Sequence, residues 1–359
     1  MKMKAAIYHG TGDIRVEEIE RPKASDGVDG LGVVCKVGAC AVCDAQDIPA
    51  YRKTYALTVP GVALGHEWSG EVVEVGPKVT DVKMGDRIYA FVLRPCLKCG
   101  PCLEKDYAKC NNYREGGGGH RINGAFAEYM LLPFATKDNI VKLPDKLTFR
   151  DGALLEVMRL CMGLADKAKA GDVVAIMGMK FLGVATVARL KARGVAKKII
   201  VSDISKKRLQ KARELGADIV INELSEDITK VVMEETAGLG ANVVIDTSAR
   251  PYNFQKALEI VAEGNVKTIP PLDGGTVWLA QSYDEPFLYS GGLKGGAAIR
   301  QPWGTIEGFT LYKPTVEFIR SGGIKADQVV THVFPIEKTK EAFETTLHNP
   351  DAIKVMVEP

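Results

Sequence analysis

Residues Asp172 to Asp203 read DVVAIMGMKFLGVATVARLKARGVAKKIIVSD. A short apolar run, Val173 to Met177, leads into a glycine-bounded turn, Gly178 to Gly183. An apolar-periodic helix, Val184 to Arg193, follows, and a second apolar run, Lys198 to Val201, ends at Asp203. Strand, tight turn, helix and strand make a βαβ unit, the core of a nucleotide-binding half-sheet. Asp203 lies 25 residues after Gly178, where a ribose-binding carboxylate is expected. The middle glycine of the G-x-G-x-x-G spacing is replaced by Lys180. That glycine lets the backbone approach a pyrophosphate, and the last one permits close packing of helix on strand. A Cβ at position 180 crowds the phosphates, unless the ammonium pairs with them at the helix N-terminus or points to solvent. The expected cofactor-binding set is Gly178, Lys180, Phe181, Leu182, Gly183 and Asp203, with Arg208 beyond. Asp203 can accept both ribose hydroxyls and repels a 2′-phosphate, which predicts NAD over NADP. Lys206, Lys207 and Arg208 could soften that preference, although such runs usually form a solvated helix face.

Outward from this unit, strands and helices alternate. Strands are expected at Asp218 to Ile221, Asn242 to Asp246 and Val266 to Ile269, and helices at Lys206 to Leu215 and Phe254 to Ala262. Such alternation predicts a parallel, doubly wound α/β sheet. Residues 1 to about 150 read instead as mainly β, with apolar runs at Gly32 to Val37, Gly70 to Val75, Arg87 to Val92 and Phe126 to Leu132. A helix is expected at about Thr305 to Ser321. The tail from Val329 alternates like the first part and is expected to rejoin it. The predicted division is one mainly β domain from 1–153 and 298–359, and one nucleotide-binding domain from 154–297. Thr276 to Ala280 could form an edge strand pairing across a dimer.

The 359 residues are 46% hydrophobic and 26% charged, with a formal charge of +2. Nothing in that balance calls for nucleic acid or a membrane surface as partner, and no apolar run is long enough to span a bilayer. Four of the eight cysteines fall within fifteen residues. Cys96-Leu-Lys-Cys99-Gly-Pro-Cys102, with Cys110 further on, has the spacing of a closed tetrahedral zinc site. An iron–sulfur cluster or a disulfide knot are the alternatives. Four thiolates leave no open position, so such a zinc is structural. Reduced thiolates fit a cytoplasmic protein. A loop-rich insertion between Phe91 and Gly124 carries this cluster and the tract Gly116 to Gly119.

Cys43, His66, Glu67 and Glu156 are further residues of ligand type. Catalytic zinc needs three mixed ligands and one open position, but their spacing alone does not select them. A wider pattern does. The segments GHEWSGEVVEVGPKVTDVKMGDRI (Gly65 to Ile88), GAFAEYMLLP (Gly124 to Pro133), SDISKKRLQKARELGADIVIN (Ser202 to Asn222), THVFPIEKTKEAFE and AIKVMVEP, with the four-cysteine lobe, span nearly the whole chain. The sequence resembles the zinc-dependent medium-chain alcohol and polyol dehydrogenases, in the sorbitol and threonine dehydrogenase branch. That resemblance implies a Rossmann-type domain beside a GroES-like catalytic domain, and a homodimer or homotetramer. It implies two Zn²⁺ per chain, one structural and one catalytic. Cys43 and His66 would be ligands of the latter, with a third from Glu67 or Glu156. It also implies zinc acting as a Lewis acid on an alcohol and hydride passing to NAD.

The chain departs from that pattern in places. The family's Ser or Thr two residues after the cysteine ligand is Ala45, which cannot relay a proton. Glu67, Glu156, Asp44 or water must do so. Cys40 reads as a core thiol. Arg159, one turn after Glu156, could hold an acidic substrate group or pair with a surface carboxylate. Arg300 and Trp303 lie where relatives complete the substrate pocket. The expected activity is oxidation of a secondary alcohol: a polyol, cyclic polyol, sugar derivative or hydroxy acid. A threonine-type amino-alcohol dehydrogenase is the alternative enzyme. A zinc-binding member without turnover, acting as a scaffold, is the alternative of another class.

Overall fold

The computed structural model describes residues 1–52, 58–92, 94–107, 110–111, 118–263, 276–279, 298–300 and 312–359, with the side chains of 298–300 excepted. The chain forms two units: Met1–Val157 with Tyr312–Asn349 and Lys354–Pro359, and Met158–Leu311 with Pro350–Ile353.

In the second unit, six parallel strands stand in the order Ile219–Asn222, Lys198–Asp203, Val173–Met177, Val243–Asp246, Thr276–Leu279 and Ala298–Arg300. The first βαβ unit therefore sits at the centre, and the order reverses beside it. That reversal opens a crevice at the carboxyl ends of the strands. Val173–Met177 is buried along its whole length, as a strand covered on both faces must be. Ala175, Met177, Ile200, Val244, Phe254 and Val277 share its core. The helix Phe181–Arg193 ends at Gly194 in the left-handed conformation, φ 62°, with Lys191 and Arg193 in its last turn, where cations oppose the dipole.

The first unit is antiparallel in the main. A three-stranded sheet runs Asp13–Glu20, Lys2–Gly10, Val62–Ala63. A seven-stranded sheet runs Val330–Pro335, Lys354–Glu358, Val33–Ala41, Glu67–Val75, Arg87–Ala90, Ile140–Lys142, with Tyr129–Leu132 also paired to Val33–Ala41. Trp68, Tyr89, Phe126 and Phe343 are its largest buried side chains. The tail rejoins this unit through Val330–Pro335 and Lys354–Glu358.

The unit boundaries differ from those expected. Ala298–Arg300 pairs in register with Thr276–Leu279, so the second unit runs on past 298. Hydrogen bonds from Phe181 and Arg208 hold Ile353 and Ala352 in that unit as well. The same pairing overturns the edge-strand reading of Thr276 to Ala280: Thr276–Leu279 is flanked on both sides, which leaves its backbone nothing to offer a second chain. Helices form at Lys206–Glu214 and Pro251–Ile260. The expected strand Val266 to Ile269 lies outside the described residues, as do Thr305 to Leu311 of the expected helix, which is described as Tyr312–Arg320. Among the described residues no helix is long and apolar enough to cross a membrane.

The glycine turn sets a steric limit. A Cβ on Gly183 would stand 2.0 Å from the Gly178 carbonyl oxygen, closer than any non-bonded contact. One on Gly194 meets nothing within 4 Å. Gly183→Ala is expected to cost about 3 kcal/mol or more through forced backbone shifts. Gly194→Ala should cost about 1 kcal/mol, from its positive φ alone. Denaturant titration of the two variants checks the difference.

Candidate active site and metal centres

Strand pairing assembles the first cluster. Ala41 stands opposite Glu67 and Cys40 opposite Trp68, so the turn after Val33–Ala41 carries Cys43 to the start of Glu67–Val75, where His66 and Glu67 lie. Gly65 precedes them at φ +98°, and a Cβ there would strike Cys40 Sγ at 2.7 Å. One donor atom each from Cys43, His66 and Glu67 falls within 4.8 Å of the others. On the far side of Val33–Ala41, Met356 pairs with Ala41. This brings Lys354, which is buried, to Glu67: its Nζ is 2.6 Å from Oε2 and donates to the Val42 carbonyl at 2.9 Å. Asp47, fully buried, accepts from the Cys43 amide at 2.9 Å and places Oδ1 3.7 Å from His66 Nδ1.

Burial is the largest influence on these groups. It pushes the Glu67 carboxyl up to about 7, against the pull of Lys354, while the Glu156 charge adds to the rise. Burial, then Glu67 and Asp47, raise the Cys43 thiol well above its ordinary value. Burial works against the Lys354 ammonium, yet the charges of Glu67, Cys43 and Asp44 hold its pKa above the usual lysine range. Glu67 Oε1 and Asp47 Oδ1 are buried without a hydrogen-bond partner. A thiol, an imidazole and a carboxylate facing one another among orphaned buried oxygens suit a divalent cation. The mixed sulfur, nitrogen and oxygen set is that of zinc with one position open.

Of the two glutamates, Glu67 stands in the three-donor group. Glu156, also buried, lies outside it, though its charge acts on Cys43 and Glu67. Cys40 is a buried core thiol. Arg159 falls in the second unit. The Arg300 side chain and Trp303 lie outside the described residues.

Three residues at the site escaped the sequence reading. Asp47 lies one helical turn after Cys43. Lys354 is a lone charge inside the apolar run AIKVMV, a pattern that signals a buried partner. His120 gives no sequence signal. Its Nδ1 is 2.9 Å from Thr58 Oγ1 and its Nε2 3.2 Å from Gln46 Oε1, and its ring centroid is 5.2 Å from that of His66.

The cysteine lobe forms a second cluster. Cys96, Cys99, Cys102 and Cys110 hold their sulfurs within 4.8 Å of one another, with Cys96–Cys102 and Cys99–Cys110 at 4.0 Å. Sulfurs at ~2.3 Å from one tetrahedral ion stand roughly 3.8 Å apart, whereas a disulfide needs ~2.05 Å. The spacing fits a closed metal site. The Lys98 amide, first among its neighbours, lowers the Cys96 thiol to about 6, and burial raises Cys102 to about 12.

In the second unit, Asp203 ends its strand and turns back on the glycine loop. Its Oδ2 accepts from the Met179 amide at 2.7 Å and its Oδ1 from the Ser205 amide at 2.8 Å. Thr247 Oγ1 donates to the Gly178 carbonyl at 2.7 Å. Lys180 is the helix N-cap at φ −66°, a conformation any residue adopts, so its side chain imposes no backbone strain. The Phe181 amide donates to Ile353 O at 3.1 Å, so the first helical donor is already engaged. The solvated face expected for residues 206 to 208 is corrected at Arg208. Its guanidinium is buried, donates from Nε to Ala352 O at 3.0 Å, and lies 3.6 Å from Asp203 Oδ2.

The comparisons agree with this chemistry. Residues 29–145 match the alcohol dehydrogenase GroES-like domain, and 182–268 match the zinc-binding dehydrogenase family. The chain is 30% identical to the (R,R)-butanediol dehydrogenase of Bacillus subtilis, over 99% of this chain and 100% of that one. It is 29% identical to the sorbitol dehydrogenase of the same organism, over 99% and 97%. A crystal structure from Escherichia coli, described as an oxidoreductase/dehydrogenase of unknown specificity, superposes with a TM-score of 0.83 at 27% identity, covering 100% of this chain and 99% of that one. The chain belongs to the zinc-dependent medium-chain alcohol dehydrogenases. It is an oxidoreductase of that class, with a doubly wound α/β sheet and a GroES-like domain, acting on a small molecule.

Burial, with the nearby His66, lowers the His120 pKa to about 3, from 6.5. A depressed histidine stabilises the fold above its unfolded value. Below about pH 6.5 the unfolded chain binds a proton that the native state refuses, so stability falls as pH drops from there toward 3. His120→Asn should flatten this slope by up to about 1.4 kcal/mol per pH unit, read from denaturant midpoints between pH 7 and 4. Lys354→Met should cost about 3 to 5 kcal/mol in zinc-depleted protein, because it leaves the Glu67 charge buried and uncompensated. Lys354→Met combined with Glu67→Gln should recover part of that loss.

Proposed function

We propose that the protein is an NAD-linked dehydrogenase oxidising a secondary alcohol of a polyol or related hydroxylated substrate. The observation that carries this reading is the convergence of Cys43, His66 and Glu67 donors in a buried site. The two relatives above act, by their names, on sorbitol and butanediol, both of which carry secondary alcohols. Cys43, His66 and Glu67 would hold the catalytic zinc, with Glu156, whose charge acts on Cys43 and Glu67, as the alternative carboxylate. Cys96, Cys99, Cys102 and Cys110 would hold the structural one. Bound there, zinc supplies Lewis acidity that lowers the alcohol pKa.

The chain's own residues do the rest. Asp47 fixes the Cys43 loop through its amide and places a carboxylate oxygen 3.7 Å from His66 Nδ1, where it would orient the ring. Lys354 balances the Glu67 charge when no metal does. Ala45 supplies no hydroxyl, so the alcohol proton leaves through Glu156 or water. Gly178 and Gly183 bound the dinucleotide turn, with Asp203 at its ribose end.

Metal analysis should give about two zinc per chain. Cys43→Ala should retain about one and lose turnover. Cys99→Ser should lose the other ion and lower the melting temperature. NAD reduction, followed by nicotinamide absorbance, is then screened over polyols, sugars, amino-alcohols and hydroxy acids. Failure of both NAD and NADP to bind at millimolar concentration would remove the dehydrogenase reading.

A further inference from the structure

The parallel sheet of the second unit carries another charged pair at its carboxyl edge. Glu223 follows the strand Ile219–Asn222, whose last residue stands beside Asp203. The Glu223 amide donates to the Asp203 carbonyl at 3.2 Å, which fixes its position next to the expected ribose carboxylate. The Glu223 side chain is 7% exposed. It accepts from Ser202 Oγ at 2.8 Å and from Asn253 Nδ2 at 3.3 Å through Oε1. Its Oε2 takes the Arg250 guanidinium, Nη2, at 2.6 Å. Arg250 is the N-cap of Pro251–Ile260, past the end of Val243–Asp246. Its side chain is 40% exposed. Asp203 and Glu223 thus follow two neighbouring strands, and Arg250, which follows the strand on the other side of Val173–Met177, reaches across to Glu223, all at the carboxyl edge where parallel sheets bind dinucleotides.

The charges along that edge are unevenly accessible. Asp203 is buried and already faces the Arg208 guanidinium, so its repulsion of a 2′-phosphate is partly neutralised. Arg250 is the half-open cation, and guanidinium matches phosphate geometry in a bidentate way. What occupies it is Glu223.

We propose that Glu223 is a cofactor-specificity residue: by holding Arg250 it withholds from a 2′-phosphate the guanidinium that would bind it, and so selects NAD against NADP. The inference rests on the proposed dinucleotide site. The mechanism is electrostatic. An adenosine 2′-phosphate brought to this edge meets the carboxylate and finds the guanidinium already paired. NAD carries no such group and is indifferent to the pair.

The test is titration of NAD and NADP, by calorimetry or tryptophan fluorescence, into the zinc-loaded protein and its variants. Glu223→Gln keeps the shape and the Oε1 acceptor but removes the charge. It should tighten NADP about tenfold or more, as expected for a charged pair worth ~1.4 kcal/mol or more, with NAD unchanged within about threefold. Arg250→Ala added to Glu223→Gln should abolish the gain, which separates a guanidinium–phosphate contact from simple loss of a negative charge. Arg250→Ala alone leaves Glu223 unpaired and should weaken NADP about fivefold or more with NAD steady; it tests the pair even if the first variant does not fold. Unchanged NADP affinity in Glu223→Gln or in Arg250→Ala, with NAD binding intact, overturns the inference. So does a gain that survives removal of Arg250. Absence of binding by either dinucleotide to the natural chain overturns the dinucleotide reading itself.

Discussion

The buried ion pair between Lys354 and Glu67 is the constraint on which the first unit turns. It crosses the central strand Val33–Ala41 from one neighbour to the other, joining Lys354–Glu358 to Glu67–Val75. Two full charges out of water are tolerated only when each is matched, and a buried pair rarely stabilises more than well-packed apolar residues would. Its presence is therefore better explained by chemistry than by folding. As a proposed metal ligand Glu67 has to be a carboxylate, and before a metal arrives that carboxylate needs a counter-charge. Lys354 supplies it from within hydrogen-bond distance, and the Val42 carbonyl satisfies a second ammonium proton.

The same logic covers the neighbours. Cys43, Glu67 and Asp47 each meet desolvation, and Glu67 and Asp47 further raise Cys43 while Glu156 further raises Glu67, so burial drives the thiol and both carboxyls toward their neutral forms. A divalent cation reverses every one of those tendencies at once. The cysteine lobe reaches the same end by other means: Cys96 and Cys99 are lowered by backbone amides, which prepares thiolates within a single loop. One site draws its donors from segments distant in the chain, Cys43 after one strand and His66 with Glu67 at the start of another, and is mixed; the other is local and all-sulfur. In zinc proteins generally, mixed sets with an open position are catalytic and closed all-sulfur sets are structural.

Legibility followed sequence distance. The βαβ unit was readable because its signals are local: a five-residue apolar strand, glycines at 178 and 183, and an acid at the next strand end. The four cysteines were readable because their spacing alone nearly closes a tetrahedron. Cys43, His66, Glu67 and Glu156 could be named from a resemblance, but that Glu67 is the glutamate lying beside Cys43 and His66 depends on strand register, with Ala41 opposite Glu67, which no spacing reveals. His120 is the extreme case. It comes to His66 from a loop 54 positions away in the chain, and a single histidine there is indistinguishable from a surface residue. The Arg208 reading failed for a related reason. Three consecutive basic residues look solvated, yet a helix turns each to a different side, and the third meets Ala352 from a segment more than a hundred residues later.

Charge at the dinucleotide edge shows why a single motif residue decides less than its position suggests. An acid at the end of the second strand is commonly read as excluding NADP. Here that acid is spent on the Met179 and Ser205 amides and faces Arg208. Those bonds brace the glycine turn from the ribose side, while Thr247 braces it from the other by holding the Gly178 carbonyl. With Gly183 pressed against Gly178, the turn is held without any contribution from a glycine at 180, and Lys180 is tolerated because its φ is ordinary. An acid engaged in holding the turn has less of its charge available for discrimination. On the proposed dinucleotide reading, selection against a 2′-phosphate would be shared with whatever else is charged along the same edge, and that edge carries Glu223 with Arg250 already bound to it.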